Sequence, residues 1–316
     1  MNIASYALKR LAGLLLVLLV TSFLVFGLLY LAPGSPLSFI LGPRGGTPEQ
    51  IAAVTEKYHL NQPFLVRYFS WLGDVLHGDF GQSIVYRQDV SGMIGGRIGT
   101  TALLVTISAV IIAVTGVTLG TVAALRGGTT GTVISTLASI ALSTPVFVIG
   151  VALITVFAVT LNWFPVFGSG SGGLDTLYHL VLPALALSFS SAGYLTRITR
   201  ASVEEERSRE HVQTAVARAL PGAVVIRRHI LRNALIPITT VLGLTVASLI
   251  AGAVVAENVF AIDGLGSLLV KAILQRDFAV VQAVVLVLVF GFVIINAVVD
   301  VLYTVIDPRI ALGRNP

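Results

Sequence analysis

Residues able to do chemistry are sparse in this chain, and their spacing excludes more than it offers. The 316 residues include three lysines, Lys9, Lys57 and Lys271, and none follows a glycine. A phosphate-cradling loop needs Gly-Lys-Ser/Thr, so no nucleotide site of that kind is expected. The five histidines, His59, His77, His179, His211 and His229, show no paired metal-ligand spacing, and cysteine is absent. Metal sites, thiolate chemistry and disulfides are therefore not expected, and the histidines read as hydrogen-bonding residues near membrane boundaries. No catalytic residue and no metal ligand is assigned.

One basic stretch stands between two long apolar runs: EHVQTAVARALPGAVVIRRHILRNALIP, residues 210–237. From Glu210 and His211 onward, Val212, Ala215, Val216 and Ala219 recur at i, i+3, i+4 and i+7, which predicts a short helix with one apolar face. Gln213, Thr214 and Arg218 fall opposite. Pro221-Gly222 ends it, and a second basic helix carrying Arg227, Arg228 and Arg232 follows. Those three arginines suit lipid phosphates. So short a helix is marginal alone in water and must be held by packing. Its small apolar face suits insertion into a groove on another protein, a route by which a chain without its own fuel site receives mechanical work.

The elements around this elbow follow from composition. Hydrophobic residues make up 55% of the chain and charged ones 11%. Mean hydropathy is +0.93, too apolar for a solvated surface. Bilayer hydrocarbon is about 30 Å thick, so a crossing helix needs roughly 20 apolar residues. Six runs qualify: 11–32, 98–125, 132–161, 178–195, 234–256 and 279–306; none holds Lys or Arg, and Asp300 is the one acid. A mid-membrane charge costs about 2.5–3.5 kcal/mol, which this pattern avoids. The first run follows Lys9 and Arg10 as a signal peptide would. It is nevertheless 22 residues long, and APGSP is a poor cleavage site, so it reads as an uncleaved span.

Alternating the spans from a cytoplasmic N-terminus puts thirteen of the twenty Lys and Arg inside, with both termini cytoplasmic. The pI near 9.7 thus reflects membrane boundaries and partner proteins, not nucleic acid.

Outside, residues 33–97 read as a helical segment. Thr47, Pro48 and Gln50 mark a helix start. A second helix runs from Pro63 to about His77, with Leu65, Phe69, Leu72 and Leu76 as its stripe and Gly78 as its stop. That stripe either packs at the bundle mouth and headgroups, beside Tyr68 and Trp71, or docks an external partner. FGSGSGGLD, 167–175, reads as a flexible loop. Gly116 and Gly120 form a GxxxG that permits close helix approach. Asp300, Tyr303, Asp307 and Arg309 read as end-of-span anchors, with a hydrogen-bonded gate as the alternative.

Beyond these readings, the elbow resembles the coupling loop of ATP-binding-cassette importer permeases. The whole chain resembles the first, B-type permease of the dipeptide/oligopeptide/nickel importer family. The resemblance rests on APGSP (32–36), LNQPFLVRYFSWLGDVLHGDFGQS (60–83), LPALAL (182–187), RNALIP (232–237), ENVFAIDGLGSLL (257–269), RDFAVVQ (276–282) and DVLYTVIDPR (300–309), in order. Three departures stand out: Gln213-Thr214-Ala215 stands where the wider class has Glu-Ala-Ala, though Thr-Ala is usual in this subfamily, Ala219 replaces a characteristic glycine, and Asp263 replaces a proline before Gly264-Leu-Gly266. Ala219 is expected to leave the elbow straighter, since alanine holds a helix better than glycine by roughly 1 kcal/mol.

The resemblance implies an all-α polytopic membrane protein. It would have six transmembrane helices of the type I ABC importer permease fold and a small external helical insertion between spans 1 and 2. The domains would then be 1–32 (tail and first span), 33–97 (external segment) and 98–306 (permease core, with coupling loop 197–233), followed by the cytoplasmic tail 307–316. It also implies the cell (plasma or inner) membrane as location. Partners would be a homologous second permease, two ABC ATPase subunits that hold the ATP and Mg, an external solute-binding protein and the lipid bilayer. This chain would carry no cofactor. The ATPase contact would fall on Glu210, His211, Val212, Gln213, Thr214, Ala215, Val216, Arg218 and Ala219. Trp71, Asp79, Glu257, Gly264 and Gly266 would contact the binding protein or line the pathway mouth, unless 257–269 is a simple interspan turn. Dipeptides and longer peptides head the solutes, with nickel complexes, glutathione and haem as alternatives. A self-contained secondary carrier fits poorly with uncharged span centres, and a non-transporting membrane scaffold remains as the reading from a different class.

Overall fold

In a computed structural model of the chain, residues 3–31, 47–57 and 61–306 are described. The APGSP segment, His59 and the tail with Asp307 and Arg309 lie outside them, as do the side chains of Gln50, Asp300 and Tyr303. The described residues are helical almost throughout. In order they form α1 (Ile3–Leu31), α2 (Pro48–Lys57), α3 (Phe64–Leu76), α4 (Val90–Arg126), α5 (Gly128–Ser143) and α6 (Val146–Leu153). Then come α7 (Gly173–Ser208), α8 (Glu210–Ala217), α9 (Arg232–Val259), α10 (Leu265–Gln275) and α11 (Phe278–Ile306).

Among the described residues, four helices are long and apolar enough to cross a membrane: Val90–Arg126, Gly173–Ser208, Gly222–Val259 and Phe278–Val299. The pair Gly128–Ser143 and Val146–Thr160 makes a fifth if its 105° bend is a broken span. The apolar run 132–161 is therefore not one straight helix. Pro145 disfavours helical backbone at the residue before it, and Thr144 is extended at φ −95°, ψ 123°. Past Leu153 the helix widens into a π-helical turn, Ile154–Thr160.

The chain forms two compact units. The larger is built mainly on Thr100–Asp263 and has α7 as its axis, packed against α5, α6 and α9. Small residues set the approach. A Cβ at Gly116 would stand 2.8 Å from Leu195 Cβ, and one at Gly193 would stand 2.5 Å from the Ala138 carbonyl oxygen. Backbones this close give dispersion contact where no water is displaced between helices. Residues 167–175, flexible by composition, are pinned. Gly168 N–H donates to the Phe260 carbonyl (3.1 Å), and Ser171 donates to Asp175 from both N–H and Oγ. Asp263 N–H, a donor that a proline would lack, reaches Ser169 Oγ at 2.8 Å.

The second unit draws on Ala7–Gly99 and Gly264–Gly291. Here α3 lies on α1, with Tyr68 OH 2.8 Å from Ser22 Oγ and its ring edge-on to Phe23. Phe64, Tyr68 and Trp71 face α1. Leu65, Phe69 and Leu76 of the stripe read from the sequence are exposed. A second apolar cluster joins Val90, Met93 and Ile94 to Leu265, Leu268, Ala272, Val280 and Val284. The loop before α4 is tied to it by Asp277, fully buried, which accepts from Ser83 Oγ and from Val85 N–H (3.3 Å).

Candidate functional site: the elbow after helix α7

The apolar run of α7 ends at Leu195; Arg197, Arg200 and Glu204-Glu205-Glu206 follow, and the helix ends at Ser208. Arg209 is extended (φ −72°, ψ 149°) and turns the chain into α8. Glu210 stands in the first turn of α8, where a carboxylate complements the helix dipole. Val212 and Ala215 are 3% and 4% exposed. They share a core cluster with Val203, Val225, Ile230 and Ala234 of the same chain. That packing is what lets eight residues hold a helix.

The apolar face read from the sequence is thus split. Val212 and Ala215 are committed inward, so they cannot be the contact surface for another protein in this conformation. Val216 is 61% exposed, and Gln213, Thr214, Ala217 and Arg218 are exposed beside it. The outward face of α8 is Val216 and Ala217 among polar groups.

Ala219 also departs from expectation. Its φ is +56°, the left-handed region, so it stops the helix and does not extend it. Ala219 N–H donates to the Val216 carbonyl (2.8 Å), and Leu220 N–H to that of Ala215 (3.3 Å). These are the two reversed bonds of a glycine-type helix end. A Cβ in this conformation costs about 1–2 kcal/mol. Backbone geometry won over helix propensity because Pro221 follows two places on.

After Pro221, one helical turn (Gly222–Val224) leads into a second π-helical segment, Val225–Leu231, and then α9. Such wide turns concentrate where helices do mechanical or binding work. Arg227 and Arg228 are exposed on it.

A polar cluster that pattern reading missed locks the two ends of the elbow together. Glu206, 6% exposed, receives Asn233 Nδ2–H at 3.0 Å. Arg209 Nε lies 3.1 Å from its other carboxylate oxygen, and His211 Nε2 stands 3.2 Å from the first. Asn233 also donates to the His229 carbonyl (3.1 Å). Glu205, hydrogen-bonded to Arg209, and the nearby Glu206 charge push the Arg209 guanidinium above its already high value. Nothing in sequence spacing signals this cluster, since Glu206 and Asn233 are 27 positions apart.

The outer candidates fall in both units, Glu257 in the larger and the others in the second. Trp71 is half-buried on Phe26. Asp79 is exposed and accepts Gly81 N–H (2.8 Å). Gly264 and Gly266 are buried. Glu257 is fully buried and accepts Thr101 Oγ–H at 2.6 Å, so it is a packing carboxylate here and not an exposed contact.

Known proteins resemble the chain along its length. Residues 116–312 match the family described as "Binding-protein-dependent transport system inner membrane component". Residues 3–105 match its N-terminal companion, "Binding-prot-dependent transport system membrane comp, N-term". The "Probable peptide ABC transporter permease protein y4tP" of Sinorhizobium fredii (strain NBRC 101917 / NGR234) is 39% identical over 310 residues, covering 96% of this chain and 98% of the relative. The "Glutathione transport system permease protein GsiC" of Salmonella choleraesuis (strain SC-B67) is 39% identical over 307 residues, covering 97% and 98%. A chain from inward-facing structures of the MetNI methionine ABC transporter superposes with TM-score 0.58 at 16% identity, covering 68% of this chain and 96% of that one.

Proposed function

Because the chain belongs to the family of binding-protein-dependent transport system inner membrane components, and is thus a multi-pass permease of an importer, we propose that α8 is the handle by which cytoplasmic ATPases drive it. The observation that carries this reading is the division of α8 itself. Val212 and Ala215 anchor it in the permease's own core, while Gln213, Thr214, Val216 and Arg218 are left outward on a rigid base. A displacement applied to that face passes into α7 and α9, not into a floppy loop.

In this reading the chain has six spans: α1, α4, the broken α5–α6 pair, α7, the Gly222–Val259 helix and α11. Both termini and the elbow are cytoplasmic, and 33–97 is external. A homologous second permease completes the pathway, and two ATPase subunits hold ATP and Mg. A solute-binding protein delivers cargo outside. ATP-driven closure of the ATPases pushes on α8 and favours one access state, and hydrolysis restores the other; the transition is a two-state equilibrium biased from a distant site. The chain itself is non-catalytic.

The cargo is a di- or oligopeptide. Relatives named for peptides and for glutathione support that class, as do span centres free of charge. The test is reconstitution of the four-subunit complex with its binding protein in liposomes. ATP-dependent peptide uptake that vanishes without this chain supports the proposal. Proton-driven uptake by this chain alone would replace it with a secondary carrier.

A further inference from the structure

We infer that Glu206 is a positioning residue whose buried carboxylate makes the coupling helix and the foot of α9 move as one body. This rests on the role proposed above for α8. The carboxylate gathers polar partners from three successive elements: Arg209 at the turn after α7, His211 in the first turn of α8, and Asn233 in the first turn of α9. Asn233 uses its second N–H on the His229 carbonyl, so the π-helical segment is held as well. His211 Nε2 also lies 3.3 Å from that carbonyl and 3.3 Å from Asn233 Nδ2.

The cluster sits beside an apolar core of Val203, Val225 and Ile230. An apolar side chain of Glu206's size would pack there at least as well, because desolvating a charge offsets most of what its partners return. What the carboxylate adds is a fixed geometry. Without it the elbow has two pivots, extended Arg209 before α8 and left-handed Ala219 after it. A push on α8 would then bend the pivots and fail to tilt α9.

The natural chain has no cysteine, so spin labels placed at A217C and L235C, both exposed positions, report the α8–α9 distance directly. E206L, which keeps volume and removes every acceptor, broadens that distance distribution in the full complex in nanodiscs. It also lowers uptake per ATP hydrolysed by roughly fivefold or more, the size of an ordinary coupling free energy. E206Q, which keeps an acceptor for Asn233, recovers most of both. Adding N233L to E206L costs nothing further, as two members of one network should behave. An unchanged distribution in E206L, or lost thermal stability with uptake per ATP intact, overturns the inference. Should E206L fail to accumulate, N233L with a distribution as narrow and a coupling ratio as high as wild type overturns it equally. Broadened distances in a wild-type-assembled complex that shows no ATP-driven uptake would leave the latch standing and remove the transport role instead.

Discussion

Gly120 of α4 lies so close to Thr199 of α7 that a methyl group added at residue 120 would stand 2.5 Å from Thr199 Cβ and 2.6 Å from the Thr196 carbonyl oxygen. Neither neighbour is a flexible side-chain tip. Gly120→Val therefore forces the two helices apart and destabilises the permease by about 1–3 kcal/mol, the usual cost of overpacking. Gly99→Ala, in the same helix with nothing within 4 Å, is neutral or stabilising. Thermal unfolding of the two purified variants in detergent separates them.

Ala219 is a case in which a natural substitution carries strain. Ala219→Gly relieves the left-handed Cβ and stabilises the elbow by about 1 kcal/mol. Ala219→Val, with a branched side chain at φ +56°, does the opposite. Hydrogen exchange of the Glu210–Ala217 amides reads both: slower in the glycine variant, faster in the valine variant.

The two faces of α8 respond differently to charge. Ala215→Glu buries an unpaired carboxylate in the core and lowers stability and expression, a cost of several kcal/mol. Val216→Glu leaves the fold intact, because the site is open to solvent, and reduces stimulated ATP hydrolysis. Melting temperature and binding-protein-stimulated ATPase rate, measured side by side, sort the two effects.

Ser83→Ala leaves buried Asp277 with Val85 N–H alone on that oxygen. A buried acceptor deprived of its partner costs about 1–3 kcal/mol. Limited proteolysis within residues 79–89 speeds up in the variant, and Asp277→Asn gives the same result.

Much of this was legible in the amino-acid order, and what was not has physical causes. Long apolar runs announce helices because backbone groups must be satisfied internally away from water. Pro145 also announced its break, but its apolar neighbours masked it within one continuous run. A helical wheel puts Val212, Ala215 and Val216 together, yet it cannot say that Val225 and Ile230 already cover the first two. The same limit applies to α3, where Phe64, Tyr68 and Trp71 took the packed side and left Leu65 and Phe69 outside. Ala219 looked like a helix former because propensity counts only the residue itself and ignores the proline two places on. The Glu206–Asn233 contact is tertiary, so local spacing held no trace of it.

The most direct measurement of the central claim is site-specific cross-linking from the outward face of α8. With cysteine placed at Thr214 or Val216 of the assembled complex, the account predicts efficient cross-links to an ATPase subunit. Their yield or partner residue should change between ATP-bound and nucleotide-free states. Both positions reacting freely with a bulky water-soluble thiol reagent in every state, with no cross-link to any ATPase, would contradict it.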